Sequence, residues 1–153
     1  MKKLIIAMFA TVITTGSLLA APIKANMQSM IEGQIVYEVP LNSHVKKGQL
    51  IEKVDTREYR ATILKDQAAL NYYKDVYKAD KSLAKTHSIS KVEYLKSKYD
   101  ILNALEQKKL DQVVESHCYI YAPFNGKITK ITTYPGSGIG DGSLIMEITK
   151  DRA

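Results

Sequence analysis

Few side chains in this 153-residue chain have the chemistry for catalysis or metal binding, and their spacing keeps them apart. There are three histidines, His44, His87 and His117, and one cysteine, Cys118. The adjacent His117-Cys118 pair lacks the second, spaced pair that a four-ligand zinc site requires. Met27 and Met30 have a spacing that suits a soft cation, but an isolated flexible pair near a terminus more often does nothing. A lone cysteine closes no intramolecular disulfide, so Cys118 is expected to be a buried, inert thiol. An enzyme needs acid, base and nucleophile to converge. Here the histidines are assigned to a loop, to the tip of a helical pair and to a helix end. No catalytic, cofactor-binding or metal-ligating set is expected, and whatever the chain does should be non-covalent.

The N-terminus carries the first positional signal. Lys2 and Lys3 precede an apolar run from Leu4 to Ala21, followed by the small-residue site Ile23-Lys24-Ala25. This pattern reads as a secretory signal peptide over residues 1–25. The alternative is a retained membrane anchor, since the run approaches the roughly 20 apolar residues that span a bilayer. Either way, the rest of the chain is translocated. Losing Lys2, Lys3 and Lys24 leaves 19 basic residues against 16 acidic ones, so the net charge drops from +6 to +3. Dispersed lysines in an exported protein are a solvated face, and nucleic acid is set aside as a partner.

An internal repeat organises the rest of the chain. Val45-Lys-Lys-Gly48-Gln-Leu50-Ile51-Glu-Lys-Val54 matches Ile139-Gly-Asp-Gly142-Ser-Leu144-Ile145-Met-Glu-Ile148 in spacing. Upstream of each lies a Gly-x-Ile, at Gly33 to Ile35 and at Gly126 to Ile128. The two glycines of a copy are 15 residues apart in the first and 16 in the second, an extra residue placed in the Pro135 to Gly138 loop. Ile35, Tyr37 and Val39, like Ile128 and Ile131, have the pattern of short strands between turn signals. Gly48 and Gly142 stand where a positive φ or a close backbone approach would exclude a side chain. A unit this small buries little alone, so the copies should pack together as a flattened barrel or sandwich with pseudo-two-fold symmetry.

Between the copies, Thr56 to His117 contains neither Gly nor Pro and is rich in Ala, Leu, Lys, Glu, Gln and Tyr. This is helical composition. It breaks near 85–90, where Ser90 with Glu93 three residues on forms a capping box. The expectation is an antiparallel hairpin with arms 56–85 and 90–117, each roughly 40 to 45 Å long at 1.5 Å per residue, projecting from the β unit. Ile63, Leu70, Tyr77 and Ala84 recur every seven residues on the first arm. On the second, Val92, Leu95, Tyr99, Leu102, Leu105, Leu110 and Val113 are assigned to the same coiled-coil seam. Six of the ten tyrosines lie on the arms, more than one seam can bury, and Tyr suits interfaces between copies.

The segments "GQIVYEVPLNSHVKKGQLIEKVDTREY" and "IYAPFNGKITKITTYPGSGIGDGSLIMEI" resemble the two halves of the lipoyl-like domain of the HlyD/EmrA/AcrA superfamily of periplasmic adaptors, the membrane fusion proteins. "LAKTHSISKVEY" resembles their hairpin tip. The resemblance implies an α+β fold: a split biotinyl/lipoyl-like β-sandwich, with first half 26–55 and second half 118–150, and an inserted antiparallel coiled-coil hairpin, 56–117. It also implies a non-enzymatic, cofactor-free subunit of a tripartite efflux or secretion system. Such a subunit forms homo-oligomers and links an inner-membrane transporter, directly or through another adaptor, to a TolC-type outer-membrane channel.

The family's tip motif is an Arg, a Leu four residues on and a Ser seven beyond that. Leu83 and Ser90 match the last two positions. Ala79 stands at the first, with Lys78 and Lys81 beside it, and a displaced ammonium does not replace a guanidinium fork. The expected partner-binding set at the tip is Lys81, Leu83, His87, Ile89 and Ser90. Relatives of full length continue into a β-barrel and a membrane-proximal domain, whereas this sequence ends at Ala153. A lipoyl or biotin carrier is excluded because the turn that would present the modified lysine is replaced by the hairpin. The alternative function is a periplasmic scaffold or regulator that binds adaptors or channels through the same hairpin.

Overall fold

The structure, a computed structural model, describes residues 22–151. The apolar run assigned to a signal peptide or anchor lies outside them up to residue 21. No described helix is long and apolar enough to cross a membrane. The chain divides into two compact units: the β strands on either side of the insert, and Thr56–Cys118.

The β unit contains eight strands: β1 (Lys24–Gln28), β2 (Gly33–Glu38), β3 (His44–Val45), β4 (Leu50–Val54), β5 (Tyr119–Tyr121), β6 (Gly126–Ile131), β7 (Gly138–Ile139) and β8 (Leu144–Lys150). They form two antiparallel sheets, β1-β8-β6-β3 and β5-β4-β2-β7. Exchanging β1 with β5, β2 with β6, β3 with β7 and β4 with β8 turns one order into the other. The first and the short third strand of each half pair with strands of the opposite half. Ile35, Ile51, Val54, Ile128, Ile145 and Ile148 are fully buried, each worth roughly 1.5–3 kcal/mol of apolar burial.

The repeat extends to individual hydrogen bonds. Gly48 N–H donates to Ala122 O, and Gly142 N–H to Ser29 O, at 2.8 Å in both cases. Val39 N–H reaches Ile51 O and Thr132 N–H reaches Ile145 O, both at 2.9 Å. Asn42 N–H donates to Ile128 O, and Gly136 N–H to Ile35 O. Gly48 and Gly142 have φ of 79° and 74°, the left-handed conformation expected of them. The extra residue of the second copy falls between Thr132 and Gly136. A bulge interrupts both copies at the same point, after Ile35 and after Ile128, and turns Tyr37 outward.

Two features differ from expectation. Each copy owns a further strand, β1 or β5, in which Met27 takes the place of Ile120, and just beyond it Ser29 takes that of Ala122. And residues 24–25, assigned to the leader, belong to β1: Lys24 pairs with Thr149, Ala25 with Ile148, and Lys24 Nζ lies 2.9 Å from Glu147. Ala25 is buried there, which a cleavage site after it would undo.

The second unit holds two helices, α1 (Arg57–Lys85) and α2 (Lys91–Ser116), packed on each other. Their contacts run antiparallel: Arg60 Nε to Glu115 at 2.9 Å, Lys108 Nζ to the Gln67 side-chain oxygen, and Tyr77 stacked on Tyr94 with centroids 5.5 Å apart. On α1 the expected stripe faces inward, with Leu70 buried and Ile63, Tyr77 and Ala84 half-buried.

On α2 the stripe assigned to the seam is on the wrong face. Val92 is 75% exposed and Tyr99 61%, and Leu95, Leu102, Leu110 and Val113 are exposed too, leaving only Leu105 half-buried. Among the sheltered positions, Tyr94, Ser97, Ile101, Ala104, Lys108, Asp111 and Glu115 recur at alternating spacings of three and four. Small residues at 97 and 104 allow close approach, and the polar ones there find partners across the seam. A count of apolar residues therefore selects the outer face.

Candidate functional site

The turn between the helices carries the residues singled out from the sequence. α1 ends in a closed hydrogen-bonded cap: Ser88 N–H donates to Leu83 O at 2.9 Å and His87 N–H to Ala84 O at 3.3 Å, with His87 left-handed at φ 56°. This is the Schellman pattern, here built without glycine. The Leu83 carbonyl also accepts from the Thr86 amide and hydroxyl, and Thr86 Oγ1 shares a hydrogen bond with Ser88 Oγ at 2.8 Å.

Two residues later α2 begins with its capping box. Ser90 Oγ accepts from Glu93 N–H at 3.1 Å while Ser90 N–H donates to the Glu93 carboxylate at 2.8 Å. Those bonds hold the Glu93 carboxyl below its ordinary range. The turn is thus fixed by main-chain and short polar contacts, which leaves side chains available. Lys81, His87 and Ser90 are exposed, Leu83 is 42% exposed and Ile89 is half-buried. At the departed Arg position, Ala79 is exposed, and neighbouring Lys78 is turned to Asp75 at 3.0 Å.

Below the tip, the Tyr77 and Tyr94 hydroxyls share a hydrogen bond at 2.9 Å, which raises the Tyr94 phenol, and Ser97 Oγ donates to the Tyr94 carbonyl. Further along, Asp66 faces Asp111. Asp111 beside it raises the Asp66 carboxyl, whose buried Oδ2 has no hydrogen-bond partner among the described residues, and Asp66 in turn lowers that of Asp111, to which Gln107 also donates at 3.1 Å. Beside them lies a cavity of about 320 Å³ lined by Asp66, Ala69, Tyr73, Asp100, Asn103, Ala104 and Gln107.

The histidines do not converge. His44 lies on β3, 3.5 Å from Asp151, His87 in the turn, and His117 at the C-cap of α2. Cys118 is fully buried. Among the described residues no group of three or more His, Cys, Asp or Glu could hold a metal ion.

The arrangement matches known architecture. The family profile described as RND MFP, barrel-sandwich hybrid domain, matches residues 23–150. No curated protein sequence matches the chain. Among solved structures, a candidate efflux transporter from Bacteroides eggerthii DSM 20697 superposes with a TM-score of 0.76 at 26% identity, covering 86% of this chain and 41% of that one. A MacA-MexA chimera carrying the Pseudomonas aeruginosa MexA α-hairpin domain gives 0.72 at 20% identity, covering 83% and 48%. The membrane fusion protein Spr0693 of Streptococcus pneumoniae R6 gives 0.67 at 14%, covering 92% and 64%. These last two likenesses bear on the fold. The chain spans less than two thirds of each of these proteins. With the two-copy β unit, the helical insert and the matched profile together covering nearly all described residues, the chain belongs to the barrel-sandwich hybrid family of RND-type membrane fusion proteins.

Proposed function

We propose that the chain is a periplasmic adaptor subunit of a tripartite efflux or secretion system, whose hairpin tip docks on a TolC-type outer-membrane channel. The observation that carries this reading is the tip. Two successive caps fix its backbone, and Leu83, in the last turn of α1, offers apolar area to solvent. A pre-organised helical end loses little entropy on adding to a groove between other helix ends. The docking residues are Lys81, Leu83, His87, Ile89 and Ser90. The leader exports the chain to the periplasm, and an inner-membrane transporter is reached directly or through a larger adaptor.

The helix pair acts in this reading as a two-stranded coiled coil whose outer face meets other copies. Val92, Leu95, Tyr99, Leu102, Leu110 and Val113 form an exposed apolar stripe along α2, more than a monomeric helix leaves uncovered. Packing copies side by side would cover it and repeat the weak tip contact around a ring, which supplies avidity.

The test is photo-crosslinking in cells from a probe at Leu83 or Ser90. Capture of an outer-membrane channel supports the adaptor, and Leu83→Asp should abolish capture from the Ser90 probe while leaving helical circular dichroism intact. Capture of another adaptor and of no outer-membrane protein would replace this reading with a scaffold or regulator.

A further inference from the structure

Glu52 occupies a place built for an apolar side chain. It lies on β4, is fully buried, and neither carboxylate oxygen has a hydrogen-bond partner among the described residues. Its cross-strand neighbours are Glu38 on β2 and Ile120 on β5. The repeat supplies the internal comparison. The same position in the other half is Met146, equally buried and flanked by Ile131 and Met27. β4 and the matching part of β8 bury their residues in the same order. One half thus has an apolar triplet, Ile131–Met146–Met27, where the other has Glu38–Glu52–Ile120.

We propose that Glu52 is a proton-linked switch on the β unit: protonated, it fills a methionine-sized core position, and ionised, it loosens the pairing of β2 with β4. Its paired neighbours on the adjoining strands bring no cation to it. β2 presents the Glu38 carboxylate, which accepts from Thr133 Oγ1 at 2.7 Å, and β5 presents Ile120. Lys53, next along β4, lies over the Tyr119 ring. Burial first, and Glu38 second, push the Glu52 carboxyl up to about 8.

The sign comes from linkage. Between its ordinary value of 4.5 and about 8 the folded protein holds a proton that the unfolded chain releases. The folding equilibrium therefore weakens about tenfold per pH unit across that window and levels off above it. The surrounding proton concentration would set how tightly this half of the unit is closed.

The experiment is thermal unfolding of the purified protein from about pH 4 to pH 9, in wild type, Glu52→Met and Glu52→Gln, with the infrared band of protonated carboxyl followed in parallel. The melting temperature of wild type should fall relative to Glu52→Met as pH rises from about 5 to 8. The carboxyl band should persist at neutral pH, fade around pH 8 and be absent in Glu52→Gln. Glu38→Gln removes the neighbouring charge and should move the loss of the band to lower pH. Parallel melting profiles for wild type and both Glu52 variants, or no protonated carboxyl at neutral pH, would overturn the proposal.

Discussion

His87 adopts the left-handed conformation at the residue closing α1, where an L side chain costs roughly 1–2 kcal/mol and glycine is the usual solution. His87→Gly should therefore raise the stability of the helix pair, by about 0.5–1 kcal/mol once the extra freedom of glycine in the unfolded chain is offset. Helical circular dichroism melts measure it. If the imidazole also touches the channel, the same variant should be more stable and yet crosslink less from Leu83, two effects that a purely structural residue would not combine. Leu83 and Ser90 were legible in the sequence as tip residues. The left-handed turn at His87 was not, because histidine carries no strong local signal for it.

At the scale of the element, the helix pair is held by fewer apolar contacts than its composition suggests. Asp66 and Asp111 face each other across it, and their interaction raises the first carboxyl and lowers the second. A raised Asp66 contributes stability that is present in acid and lost as pH rises through its folded value, while the lowered Asp111 contributes in the opposite sense. An amide at position 66 donates to Asp111 without needing a proton. Asp66→Asn should thus melt higher than wild type at neutral pH, with the difference closing below the ordinary aspartate range; equal melts at pH 7 would remove the pair from the seam's energetics. Helix existence, the break near 85–90 and the Ser90–Glu93 box could all be read in advance because they depend on neighbours in sequence. The inner face of α2 could not. Its Ser97, Ala104 and Lys108 are chosen by what stands opposite on α1, whereas Leu95, Leu102 and Leu110 draw the eye to the other side.

For the molecule as a whole, the repeat was visible wherever the backbone demands a residue type, as at Gly48 and Gly142, or where the core demands an aliphatic one, as at Ile51 and Ile145. It was invisible in β1 and β5 and just beyond them, where the equivalent hydrogen bonds are made by main-chain atoms of unlike residues, Ser29 and Ala122. That omission moved the expected processing site into a strand. If the chain is exported and cleaved, its mature N-terminus should lie at or before Ile23, which intact-mass or N-terminal sequencing of the secreted form would report. A chain starting at Asn26 should melt lower, having lost the Lys24 and Ala25 pairings with β8 and the Lys24–Glu147 ion pair.

The exchange of β1, β3, β5 and β7 between the halves also dictates an order of events during folding. Neither sheet can be completed from one half of the chain, since each takes two of its four strands from before the helical insert and two from after it. During synthesis or export the first half must wait for the second. The helices in between shorten that wait, because they zip locally and bring their two ends together where Arg60 meets Glu115. Shrinking the effective loop from about 60 residues to under about ten lowers the entropy cost of closure by about 2 kcal/mol. The insert is thus also a folding clamp, and damage at its tip should slow the assembly of strands far from it in sequence.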